Sequence, residues 1–338
     1  MTENLAVLIL AAGKGTRMKS NLVKVLHPLM GQTMLAHVVN SARYLEPERT
    51  VIVVGRQAEE VKANIKGEGL TFVLQEKQLG TGHAVAQARG ALADFKGTVL
   101  ILSGDVPLLS PQTMMDFLAA HRQSGAPLSV LTVELMDPAV YGRIIRDKAG
   151  YLLRIVEARD AGAEELAVCE INTGIYAVDA GLLFDSVANL SRDNDQKEYY
   201  LTDLVAMTRD QDLLVAAILS PDPEEVLGIN DRTELAEAMA ILQVRTNYAW
   251  MLAGVTMIDP NTTYIETTVK LAQDVTLWPN TFLLGQTSVG PETTIGPNCQ
   301  LIDAVVGAGV TVKNGAFIEQ AEIPDGAVIG PQAVIGPE

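Results

Sequence analysis

The apolar positions of the chain follow three different rhythms. Over the first two-thirds, short apolar runs alternate with segments of helical spacing. Residues 5–10 are apolar on both faces and stop at a glycine-containing loop, which predicts a buried strand; residues 51–55, 72–74, 98–102 and 128–133 read the same way. Helical periodicity marks residues 34–44 and 83–93 between them. Strands alternating with helices predict an α/β domain built on a largely parallel sheet. In such sheets ligands sit outside the carboxyl ends of the strands. The loop after residue 10, Gln75 and Asp105 all fall at such ends.

The second rhythm is less regular. An apolar strand over residues 152–156 ends at Glu157, and residues 170–176 read as a strand interrupted by Asn172, Thr173 and Gly174. Polar groups inside a strand are costly unless they find partners. For Asn172 the partner is either a local backbone group or a bound sugar. Residues 198–209 are predicted helical, with Leu201, Leu204 and Val205 on one side, and 213–219 a strand. A long helical pattern over 234–252 reads as the connection between domains.

The third rhythm has a period of six. Ile265, Leu271, Leu277, Leu283, Val289, Ile295 and Leu301 form an unbroken ladder. Four places after each stand Val269, Val275, Thr281, Thr287, Thr293, Cys299 and Val305, all small or β-branched. The phase slips by one and resumes at Val306, Val312 and Ile318, then slips again and resumes at Ile323, Ile329 and Ile335. This is the hexapeptide signature of a parallel β-helix, of about four three-hexad coils. Cys299 is then a coil-filling residue. The expected division is a nucleotide-type α/β domain over 1–229, a linker helix over 230–253 and a β-helix over 254–338. The rhythm stops without a polar capping segment, which suggests either an end buried in an oligomer or a truncated chain.

Composition narrows the function. The net charge is −16, so a general nucleic-acid interface or a polybasic membrane contact is not expected. The two cysteines are far apart with no CxxC spacing, the pattern of reduced thiols in a cytoplasmic protein rather than of a zinc or disulfide framework. No secretory leader pattern opens the chain, and the run over 5–10 is too short to span a bilayer. Against this acidic background the loop Leu10-Ala11-Ala12-Gly13-Lys14-Gly15-Thr16-Arg17, with Lys24 beyond it, stands out. Small residues expose backbone N–H groups and the cations add positive charge, a combination suited to polyphosphate. It is neither a Walker A loop, since Gly15 follows Lys14, nor a dinucleotide fingerprint, since Met18 stands where the third glycine belongs. A plain strand-to-helix turn with solvated charges fits the loop equally well. Asp105, after an apolar strand and Gly104, is placed either to hold Mg²⁺ for a nucleotide or to stabilise the turn beside Pro107.

Several segments together settle a resemblance. They are the loop through Met18, Lys24-Val25-Leu26-His27, Gln78-Leu79-Gly80-Thr81-Gly82-His83-Ala84, Gly104-Asp105-Val106-Pro107-Leu108 and Tyr141-Gly142-Arg143-Ile144. Val156-Glu157, Glu170-Ile171-Asn172-Thr173-Gly174-Ile175, Glu198-Tyr199-Tyr200-Leu201-Thr202-Asp203 and Gly228-Ile229-Asn230-Asp231-Arg232 complete the set. In this order, over nearly the whole chain, they resemble bacterial N-acetylglucosamine-1-phosphate uridyltransferases. The resemblance implies a Rossmann-like nucleotidyltransferase domain followed by a left-handed parallel β-helix of hexapeptide repeats, assembled as a homotrimer. It implies Mg²⁺-dependent formation of UDP-N-acetylglucosamine and pyrophosphate from UTP and N-acetylglucosamine 1-phosphate. Leu10, Ala11, Ala12 and Gly13 would lie against the nucleotide, with Arg17 and Lys24 at its phosphates. Gln75, Gly80 and Thr81 would read uracil, and Asp105 and Asn230 would hold Mg²⁺. Gly142, Glu157, Asn172 and Thr202 would line the sugar pocket. Ser103 and Gly104 fall in the same substrate site, although the family often carries Tyr at the position of Ser103. Ala158-Arg159-Asp160 also departs from the usual charged pair before Asp. Bifunctional members continue into an acetyl-CoA site, so acetyl transfer is not expected of this chain. A nucleotidyltransferase of other base or sugar specificity, and a non-catalytic sugar-nucleotide sensor, are the competing readings.

Overall fold

The computed structural model describes residues 4–337 and divides the chain into two units. One takes the chain through His27 together with Thr33–Glu234; the other takes Pro28–Gln32 with the chain from Leu235 onward.

The first unit is a Rossmann-like α/β domain. Its strands are β1 (Leu5–Ala11), β2 (Arg49–Val54), β3 (Leu70–Leu74), β4 (Thr98–Ser103), β5 (Leu128–Glu134), β6 (Arg143–Arg146), β7 (Leu152–Val156), β8 (Glu170–Asp179) and β9 (Val215–Leu219). The helices are α1 (Met34–Arg43), α2 (Ala58–Asn64), α3 (Thr81–Gln87), α4 (Pro111–Ser124), α5 (Ala163–Leu166), α6 (Ala180–Val187) and α7 (Asp203–Arg209), and α8 (Arg232–Leu252) carries the chain across the unit boundary. The main sheet runs β9-β5-β8-β4-β1-β2-β3, with the β6–β7 hairpin paired to β8. All its neighbours are parallel except where β8 lies antiparallel to β4 and β5. Both faces are covered, which is why β1 reads as an apolar run. Ala6 and Leu8 pack with Ala84, Val85 and Leu183 on one face, and Val7 and Ile9 with Leu35, Val38 and Phe117 on the other. β1 lies between β2, next in chain order, and β4, which arrives by crossover, so the sheet changes direction at its carboxyl end.

Two helices differ from the sequence expectation. The segment 83–93 is helical only to Gln87, in α3; beyond it the bonds shorten to Arg89 N–Ala86 O and Ala91 N–Ala88 O around Gly90. The segment 198–209 becomes helical only at Asp203. Residues 199–202 are drawn into the loop before α3 instead: Tyr199 N donates to Leu79 O, Gly82 N to Tyr199 O and Leu201 N to Thr81 Oγ1. Gly80 and Gly82 make that approach possible, since a β-carbon on Gly80 would stand 2.5 Å from Tyr199 O.

The second unit is the β-helix of hexapeptide repeats, and its register is the ladder. Ile265, Leu283, Leu301, Ile318 and Ile335 stack in one parallel sheet. Leu271, Val289, Val306 and Ile323 stack in a second, and Leu277, Ile295, Val312 and Ile329 in a third. The inward threonines satisfy their hydroxyls on carbonyls, Thr281 on Trp278 O, Thr287 on Leu284 O and Thr293 on Gly307 O. Cys299 is fully buried and fills a coil as expected, with burial pushing its thiol pKa up. Val305 is a correction. Its side chain is half exposed, and Ala304 takes the inward place, because the hexad between Leu301 and Val306 is one residue short.

Candidate active site

The carboxyl ends of β1, β3 and β4 open onto a cleft of about 420 Å³. Lining it are Leu10, Ala11, Ala12 and Gly13 from the end of β1, Arg17 and Lys24 beyond the loop, and Gln75, Gly80 and Thr81 after β3. Ser103 and Asp105 come from the end of β4, and Asn230 from the turn before α8. The structure therefore gathers twelve residues that lay up to 220 positions apart in the chain. Lys14 also reaches the cleft but is exposed, so its ammonium keeps its water.

At the centre of the cleft, Lys24 is buried and its ammonium stands 2.5 Å from Asp105 Oδ2 and 2.9 Å from Asn230 Oδ1. The stem of Lys24 lies against Gly15, whose φ of +59° is the left-handed conformation that glycine tolerates; a β-carbon there would stand within 2.4 Å of Lys24 Cβ. Asp105 and the Asn230 turn are joined by the bond from Ile229 N to Asp105 O. The Asn230 amide nitrogen donates to Gly228 O at 3.0 Å, which turns its oxygen toward Lys24. Two hard oxygens, one of them charged, thus converge on the place that the Lys24 ammonium takes. This donor set fits Mg²⁺, which takes one or two protein oxygens and completes its shell from phosphate and water. Among the described residues no group of three or more His, Cys, Asp or Glu is arranged to hold a metal.

Gln75 is buried, and its backbone N–H donates to Val54 O. Its amide nitrogen lies 3.1 Å from Gly80 O and 2.9 Å from His83 Nδ1. A carbonyl only accepts, so the nitrogen must face Gly80 and the Gln75 carboxamide oxygen is left for a ligand. Burial lowers the His83 pKa, the direction that favours the neutral ring an acceptor for Gln75 requires.

Five of the expected residues are not in the wall of this cleft. Gly104 lies behind it, its N–H donating to Leu10 O and its missing side chain leaving room for Ala11. Gly142, Glu157, Asn172 and Thr202 form a second group. Asn172 N donates to Gly142 O, and Thr202 Oγ1 to Glu157 Oε1 at 3.2 Å. Burial raises the Glu157 pKa, opposed by the Thr202 bond and reinforced by Asp160, Asp203 and Glu198. Glu157 opens onto a neighbouring depression that it shares with Arg17, and Arg17 belongs to both hollows. Asn172 Oδ1 accepts from Gly174 N where β8 breaks register between Asn172 and Tyr176, so the polar interruption has a local partner and a bulge behind it.

Other residues in the site were not singled out by sequence reasoning. Gln78 lines the cleft and its amide nitrogen donates to Ala12 O. Glu198 also lines the cleft. Arg143 is buried with its guanidinium on the carbonyls of Pro138, Ala139 and Tyr141, fixing the loop before Gly142. Asp160 accepts from Tyr200 Oη and Asp195 N, tying the turn after Glu157 to the loop before Thr202. Gln78 and Arg143 lay inside matched segments, but nothing in their spacing distinguished a side chain that braces a loop from a solvated one.

Comparison with known proteins bears on this geometry. Residues 7–168 match the family described as MobA-like NTP transferase domain. The bifunctional protein GlmU of Pelobacter propionicus is 46% identical over 336 residues, 99% of this chain and 73% of that protein. That of Geotalea uraniireducens is 47% identical over 99% of this chain and 74% of its own length, and that of Brevibacillus brevis 46% over 98% and 71%.

Proposed function

The chain belongs to the GlmU family of nucleotidyltransferases, and from that premise we propose that it joins UTP to N-acetylglucosamine 1-phosphate, forming UDP-N-acetylglucosamine and pyrophosphate with Mg²⁺. The observation that carries the reading is the Lys24 ammonium held between Asp105 and Asn230 at the carboxyl ends of the strands, with Arg17 in the same cleft. A phosphate oxygen of the sugar phosphate attacks the α-phosphorus of the nucleotide in line, and pyrophosphate leaves. The nucleophile is already anionic, so no general base is required, and catalysis rests on positioning and charge neutralisation.

Asp105 and Asn230 would hold Mg²⁺, whose bound chemistry is to neutralise phosphate charge. Lys24 is tethered by its buried stem, and with the metal held its ammonium would turn from these oxygens to the phosphates of the two substrates. Arg17 borders both hollows and stabilises charge on the departing pyrophosphate. The opening loop offers backbone N–H groups, and a β-carbon on Gly13 would meet nothing within 4 Å, so the backbone is open to close approach. The acceptor oxygen of Gln75 favours a base with an imide N–H, uracil or thymine, over cytosine. Glu157, Asn172 and Thr202 receive the sugar, where a missing hydroxyl or N-acetyl group leaves a buried polar atom unpaired. The same premise supports a soluble cytoplasmic enzyme that trimerises through its β-helix. Among the described residues no helix is long and apolar enough to cross a membrane.

Pyrophosphate release across UTP, dTTP and CTP, each with N-acetylglucosamine 1-phosphate or glucose 1-phosphate, tests the assignment. The expected order places UTP with N-acetylglucosamine 1-phosphate first. A preference for another pair reassigns the substrates, and tight nucleotide binding without release points to a sensor.

A further inference from the structure

The cleft contains one brace that the reaction scheme does not use. Gln78 stands in the loop after β3, three residues past Gln75, and its amide nitrogen donates to the carbonyl of Ala12 in the loop after β1. The neighbouring position at the end of β2 is Gly55. A β-carbon there would stand 2.9 Å from Gln78 Nε2 and 3.0 Å from Ala12 O, so the contact exists because residue 55 has no side chain. Three strand ends therefore meet at a single hydrogen bond. The rest of the Gln75–Thr81 loop is tied elsewhere: Gln75 N to β2, and Leu79 O and Thr81 Oγ1 to residues 199–201.

The consequence lies in the peptide that follows. A peptide unit is planar and trans, so its C=O and N–H point to opposite sides. With the Ala12 carbonyl held toward Gln78, the Gly13 N–H is directed away from it. Glycine permits many orientations of this peptide, and a donor that must be ordered on binding loses affinity to that ordering.

We propose that Gln78 is a positioning residue for the nucleotide: it presets the Ala12–Gly13 peptide and couples the phosphate-side loop to the base-reading loop. The inference rests on the nucleotidyltransferase reading of the same cleft and deepens it. Gln78 touches the loop and not the reacting atoms, so its loss acts on nucleotide binding. One hydrogen bond of this kind corresponds to about five- to tenfold in affinity.

The test is UTP binding by titration calorimetry on the full chain, with steady-state kinetics alongside. Gln78→Ala is expected to raise the Kd for UTP about five- to tenfold, leaving the KM for the sugar phosphate and the kcat at saturating UTP within about twofold. Gln78→Glu is expected to lose more, because an acceptor then faces an acceptor. Gly55→Ala displaces the amide from the other side and is expected to mimic Gln78→Ala. The double variant is expected to be no weaker than either single variant, since both remove the same bond. UTP affinity within twofold of the parent in Gln78→Ala overturns the inference. So does strict additivity of the two substitutions, or an equal loss in kcat and both KM values, the mark of general disruption. A parent chain that binds no UTP overturns the underlying substrate assignment and takes this inference with it.

Discussion

Lys24 and Asp105 form the central contact of the cleft. Lys24 is buried by the Gly15 turn and Asp105 is anchored through Ile229, so both partners of the pair are held in place by the backbone around them. Asp105 is the charged one of the two oxygens proposed for Mg²⁺. Asp105→Ala is therefore expected to lower kcat by at least about 10²–10³-fold while the far-ultraviolet circular dichroism is unchanged; near-parental turnover in Mg²⁺ would remove Asp105 from the mechanism. Glu157 carries a different signature. Its folded-state pKa is raised by burial above the ordinary carboxylate value, so the folded chain holds its proton to higher pH than the unfolded chain does. Stability then falls as pH rises from the ordinary carboxylate range to the raised value, and stays lower above it. Glu157→Gln removes that penalty. It is expected to gain thermal midpoint over the parent at pH 7 and not at pH 4, by about 2–4 °C for each kcal/mol relieved, while weakening binding of the sugar phosphate. An equal difference at both pH values would show that Glu157 is not the group titrating.

The elements were legible to different degrees. The six-residue ladder transcribed directly into register, because every coil stacks equivalent residues and burial repeats with the sequence. It failed only at Val305, where a shortened hexad hands the inward place to Ala304. Leu283 lies at the centre of one such stack, between Ile265 and Leu301. Leu283→Ala is expected to cost about 2–5 kcal/mol in the unfolding transition of the β-helix followed in urea; a change under about 1 kcal/mol would mean the coil closes over the gap. In the α/β unit the strands were legible because both faces are buried. The start of α7 was not, because Tyr199 and Leu201 give their backbone groups to the loop before α3, a tertiary pairing that overrides local helical spacing. The site followed the same division. Residues at strand ends were readable from topology, but the bracing roles of Gln78, Arg143 and Asp160 depend on carbonyls, a backbone amide and a distant tyrosine hydroxyl that no local pattern records.

At the scale of the molecule, the nucleotidyltransferase chemistry is carried by one unit, whose sheet gathers residues from Leu10 to Asn230 at the switch beside β1. On the proposed reading, three loops and one turn would supply what the reaction needs: backbone donors, two cations, a pair of oxygens for Mg²⁺ and an acceptor for the base. The β-helix is a separate repetitive unit with its own core. The central claim is that this arrangement transfers a uridylyl group to N-acetylglucosamine 1-phosphate. Mass spectrometry of a reaction of the purified chain with UTP, N-acetylglucosamine 1-phosphate and Mg²⁺ tests it most directly. The expected result is UDP-N-acetylglucosamine and pyrophosphate in equal amounts, with formation abolished by chelator and restored by added Mg²⁺. Recovery of both substrates unchanged, with Mg²⁺ present and the chain folded, would contradict it.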